Sequence, residues 1–100
     1  MTEYQIATSV LDAIVRGSLE KDERLRIHST LPLVGSHPVE VKVEGQECHV
    51  TVHLDARLGE NLPALATGVR QKVAEALGKM TGLTIEGVDV VFSGVFSAGV

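Results

Sequence analysis

The sequence predicts a small α+β domain: a mainly antiparallel sheet of three or four strands with two helices packed on one face. Three observations carry this. Val39, Val41 and Val43 alternate with Glu40, Lys42 and Glu44, and beyond a glycine Cys48, Val50, Val52 and Leu54 alternate with His49, Thr51, His53 and Asp55. That period of two marks a half-buried hairpin. Leu62, Leu65, Ala66, Val69, Val73, Ala76, Leu77 and Met80 recur at steps of three and four, an apolar stripe along a helix of about five turns. Finally, 100 residues with 44% hydrophobic content suffice for one core and not for two, so residues 1–100 read as a single domain.

Taken in order, Tyr4-Gln5-Ile6-Ala7 alternates and predicts a short strand. Thr8 or Ser9 offers a hydroxyl cap, with Asp12 three residues after Ser9 as a weak capping box. Val10, Leu11, Ile14 and Val15 then predict a helix of about three turns, fraying near Gly17 or the charged run Glu20-Lys21-Asp22-Glu23. Leu25 and Ile27 alternate with Arg24, Arg26 and His28 as a modest strand. Leu31 to Pro38, with two prolines and a glycine, reads as a loop.

The hairpin follows, its turn at Glu44-Gly45-Gln46-Glu47 using Gly45 where positive φ is required. Asn61 caps the long helix and Pro63 sits in its first turn, where a missing N–H costs nothing. Gly82 ends the helix as a left-handed residue. In the last strand Leu83 and Ile85 run in one phase and Val88, Val90 and Phe92 in the other, so the slip at Glu86-Gly87 predicts a bulge or bend.

Composition removes whole classes of function. With one Tyr, two Phe and no Trp the core is aliphatic, and a base-stacking platform is nearly excluded. One cysteine rules out an internal disulfide framework and a Cys-based zinc cluster. A net charge of −4 without a basic block disfavours nucleic acid as a partner, because phosphate binding draws on Lys and Arg. The N-terminus has no basic residue ahead of an apolar run, unlike a secretory leader, and no stretch approaches the ~20 apolar residues that cross a bilayer. Direct membrane insertion is not expected.

The sequence offers no catalytic, cofactor-binding or metal residues. His49 and His53 share a face, but four strand residues span about 13 Å, too far for one zinc ion. His28 or His37 would have to come alongside. Cys48 and its neighbour His49 point to opposite faces, so they form no nucleophile–base pair, and Cys48 reads as a small buried hydrophobe. No Gly-x-Ser-x-Gly or His-Glu-x-x-His motif occurs. The second reading is a small RNA-binding domain using Arg70, Lys72 and Lys79 on the long helix, although Gly78-Lys79-Met80-Thr81-Gly82 has three intervening residues where a GXXG clamp has two.

Several segments resemble the bacterial alkaline shock protein family, also called the envelope stress response family. They are Val39 to Gly45, His49 to Leu54, Gly59-Glu60-Asn61-Leu62-Pro63, Val69-Arg70-Gln71-Lys72-Val73, Thr81-Gly82-Leu83 and Val88 to Val95. The similarity spans residues 39–95, whereas Ser18 to Pro38 departs from the family's Ala- and Gly-rich middle. The resemblance implies a non-enzymatic, cytoplasmic protein of cell-envelope homeostasis: a self-associating scaffold without cofactor, in some members held at the membrane by a small membrane-anchored partner. The surfaces expected to make contact are the outer sheet face at His49, Thr51 and His53, or the last strand at Val91, Val95 and Phe96.

Overall fold

The computed structural model describes residues 5–28 and 37–97. Its elements are α1 (Thr8–Leu19), β1 (Leu25–Ile27), β2 (Val39–Glu44), β3 (Glu47–Arg57), α2 (Leu62–Thr81) and β4 (Thr84–Phe96). The fold is α+β, with both helices on one face of a four-stranded sheet.

β3 is the organising strand. Its edges are occupied unequally: β4 runs along one from Glu47 to Arg57, while β2 and β1 divide the other. β2 pairs with Glu47–Val52 and β1 with Leu54–Ala56, both antiparallel. The β3–β4 pairing is parallel, because α2 intervenes as a crossover and returns the chain in the same direction. Alternation then puts Cys48, Val50, Val52, Leu54 and Ala56 beneath the helices, all with no exposed surface. Gly45 takes φ +59 in the β2–β3 turn.

α1 buries Leu11, Val15 and Leu19, one residue per turn, against this face. Its cap differs from the sequence expectation. The N-cap is Ala7, with no side-chain cap, and Thr8 and Ser9 lie inside the helix. The Ala7 carbonyl already accepts from the N–H groups of Val10 and Leu11, so the helix begins ahead of both hydroxyls. Of the two ends the sequence offers, Gly17 does not stop the helix and the charged run does: Leu19, 2% exposed, keeps the last turn on the core, and Glu20 is the C-cap. Residues 5–7 are irregular rather than a strand, and Tyr4 lies outside the described residues, as does the predicted loop except for His37 and Pro38.

α2 starts and stops where the sequence places it. The Asn61 side chain accepts the Ala64 N–H at 3.0 Å, and Gly82 takes φ +73 while donating to the Gly78 carbonyl. Leu65, Ala66, Val69, Val73 and Leu77 are buried as expected, but Met80 is 70% exposed. Facing it, α1 offers Ala13 and Gly17, too short to cover a methionine. The last turn instead buries Thr81, whose hydroxyl donates to the Leu77 carbonyl and accepts the Leu83 N–H.

Candidate functional site

The sheet face away from the helices carries the polar chemistry. His49, Thr51, His53 and Asp55 lie on it from β3, and register brings Arg26 beside Asp55 and Lys42 beside His49. On the β4 side Thr51 meets Asp89, and His53 meets Val91. Three histidines are thereby placed in polar pairs. His28 Nδ1 lies 2.6 Å from Asp55 Oδ1, His49 Nε2 lies 2.7 Å from Asp89 Oδ2, and His53 Nδ1 lies 3.3 Å from the Ser93 hydroxyl. β1 does bring His28 alongside: its N–H donates to the His53 carbonyl at 2.9 Å. Among the described residues, however, no group of three or more His, Cys, Asp or Glu side chains is arranged to hold a metal ion.

Two bulges in β4 make room for this row. The ladder slips at Glu86, so that Gly87 sits opposite His49, and again at Ser93, so that Gly94 sits opposite Asp55. A Cβ on Gly94 would lie 2.6 Å from Asp55 Oδ1, and one on Gly87 would lie 3.0 Å from the His49 ring. The first slip is legible in the sequence. The second is not, because Val88, Val90 and Phe92 carry the phase smoothly up to it, and only the Ser93-Gly94 dipeptide hints at a break.

Past that slip, Val95 pairs with Ala56 and Phe96 with Arg57. Val95 therefore points to the helix side, 65% exposed, while Phe96 turns to the polar face. There the Arg26 guanidinium lies 3.9 Å from the centre of the Phe96 ring. Val91 is 39% exposed. Phe92 packs against the core. Arg26 and Asp89 also belong to this surface but carry no site signal in the sequence, since their roles depend on which strand lies beside β3.

The cations of the RNA reading are each engaged. Arg70 Nε donates to the Val88 carbonyl at 3.3 Å, Lys72 Nζ lies 2.8 Å from Asp22, and Lys79 Nζ lies 3.1 Å from Glu75. Asp22 is the hub of a second cluster. Its carboxylate, 5% exposed, accepts from the Arg24 backbone N–H, the Arg24 guanidinium and Lys72, joining the α1–β1 connection to α2. The Arg24 hydrogen bonds, with Lys72 assisting, outweigh the cost of burial and hold its carboxyl well below the usual carboxylate range. Cys48 is fully buried, and desolvation pushes its thiol pKa up.

Two of the open surfaces are apolar. An apolar groove of about 660 Å³ runs between the helices, lined by Ser9, Val10, Ala13, Ile14, Ala76 and Met80 among others. The other is the outer edge of β4, which pairs with no strand among the described residues. The His53 N–H bonds the Pro38 carbonyl, and the Arg57 N–H bonds the Arg24 carbonyl, so odd residues of β3 direct their backbone groups away from β4. Even residues direct theirs toward it. In a parallel ladder the partner of such a residue turns its own N–H and C=O outward. Val88, Val90 and Phe92, the partners of Val50, Val52 and Leu54, therefore present their backbone groups to the open edge.

The fold defines a small α+β domain with a polar sheet face and, among the described residues, an apolar strand edge that no other strand covers. The chain belongs to the alkaline shock protein 23 family, described as having a cell envelope-related function, and the family match covers residues 1–97. That match includes Ser18 to Pro38, the segment where the sequence resemblance lapses. The chain is also 28% identical over 96 residues to the histone-lysine N-methyltransferase SUVR5 of Arabidopsis thaliana, covering 85% of this chain and 7% of that protein. The chain thus spans a small fraction of the length of this curated relative. No solved structure matches it.

Proposed function

We propose that this protein is a non-enzymatic scaffold of cell-envelope homeostasis that works by self-association. The observation that carries the reading is the β4 edge. Its second half, Val90 to Phe96, has no charged residue, and it exposes Val91 and Val95 beside backbone groups that no strand among the described residues pairs. Strand edges of this kind recruit further strands unless charge or proline blunts them. The family's envelope-related function supports the setting. Among the described residues no helix is long and apolar enough to cross a membrane, so attachment from the cytoplasmic side would run through a small membrane-anchored partner.

Light scattering over a range of protein concentrations tests self-association. A mass that rises above the 10.6 kDa monomer, and falls back in Val95→Asp with an unchanged circular dichroism spectrum, supports the proposal. A monomer at every concentration overturns it.

A further inference from the structure

Resting on that reading, we infer that a second copy of this chain pairs with the β4 edge antiparallel, about a two-fold axis at Val91. Four features select this register. Val88, Val90 and Phe92 direct their backbone groups outward in one regular run, which ends at the Ser93 bulge. Within that run the Val88 carbonyl is already occupied by Arg70, which reaches down from α2. Pairing centred on Val90 would need that carbonyl, and pairing centred on Asp89 would also set two carboxylates face to face. Pairing centred on Phe92 would carry Val90 onto the partner's Gly94, past the bulge, where the outward phase is lost. Centred on Val91, Val90 of each copy faces Phe92 of the other, and these two residues exchange both hydrogen bonds.

Asp89 then meets Ser93 of the other copy, so no like charges are opposed. The assembly closes as one sheet of eight strands with all four helices on the same face. Its remaining edges carry Glu40, Lys42 and Glu44, which discourage further strand addition. Arg70 acts here as a register stop on an otherwise continuous edge.

The two Val91 side chains occupy a non-hydrogen-bonded pair, with Cα atoms about 4.5 Å apart. That spacing is within the range a disulfide bridges. Val91→Cys under mild oxidation is therefore expected to give a covalent dimer, with Cys48 silent because it is fully buried. Leu58→Cys, 67% exposed but away from the edge, should give no covalent dimer under the same conditions. Val91→Lys, which sets two ammonium groups face to face on an exposed position, should weaken dimerisation in light scattering about tenfold while the fold persists. A dimer that does not cross-link at Val91→Cys and is insensitive to Val91→Lys overturns this register, although self-association would stand. A monomer throughout overturns both.

Discussion

The Asp55 carboxylate occupies the space that a side chain on Gly94 would need: a Cβ there would stand 2.6 Å from Oδ1. The same carboxylate lies 2.6 Å from Nδ1 of His28, the residue after β1, so β3, β4 and the end of β1 converge on one carboxylate of the uncovered sheet face. The glycine is thus required by an approach from a neighbouring strand and not by its own backbone, since its φ is not positive.

Gly94→Ala should accordingly displace Asp55 and destabilise the fold by about 1–2 kcal/mol. The cost should fall when Asp55 is first shortened to Ala, giving a coupling of about 0.5 kcal/mol or more in a double-mutant cycle read by urea unfolding. Strictly additive effects would show that the two positions are not in contact.

Asp22 is expected to tie stability to pH on the acid side. Its carboxyl titrates below its unfolded value because Arg24 and Lys72 favour the charged form. A depressed folded pKa stabilises the native state at every pH above the unfolded value of about 3.9, and that contribution is lost as pH falls toward the folded value. Asp22→Asn should therefore cost about 2 kcal/mol at pH 7, where it leaves Arg24 and Lys72 without their anion. The gap from the unaltered protein should narrow progressively below about pH 4. Thermal melts across pH 2–7 measure it, and a gap that does not vary with pH would rule out this assignment.

The hairpin and α2 were legible because each is specified locally. The two-residue alternation of Val39 to Leu54 and the Asn61 and Gly82 caps need no knowledge of the remainder of the chain. The parallel partner of β3 was not, since the sequence of β4 reads the same whether it runs up or down beside its neighbour. The Ser9 cap failed because capping chemistry was present twice, at Thr8 and Ser9, whereas burial of Leu11, Val15 and Leu19 fixed the helix around a start at Ala7. At the site, His49, Thr51 and His53 could be assigned to one face by alternation alone. The partners of the two histidines, Asp89 and Ser93, each lie 40 residues further along the chain, and only the bulged register of β4 brings them there.

Because α2 carries the crossover, its ends should show in global stability. Asn61→Ala removes the acceptor of the Ala64 N–H and should cost about 1 kcal/mol. Gly82→Ala forces a Cβ into a left-handed conformation at φ +73 and should cost a similar amount. The two sites stand at opposite ends of a 20-residue helix, so their effects should add within about 0.5 kcal/mol in chemical denaturation. A larger coupling would mean that α2 melts separately from the sheet.

Cys48 reports on opening of the core from within. It lies at zero exposure on β3, between β2 and β4, on the face beneath the helices, and desolvation raises its thiol pKa. The reactive thiolate is thus both scarce and inaccessible in the native state. Labelling by a thiol reagent at pH 8 should proceed roughly a thousandfold or more slower than in the urea-unfolded chain, because it must await opening. Asp22→Asn, which loosens the α1–β1 connection and α2 together, should accelerate labelling in proportion to its loss of stability. Fast labelling that ignores both urea and this substitution would mean that β3 is exposed by local fraying of one edge, and would contradict its place at the centre of the sheet.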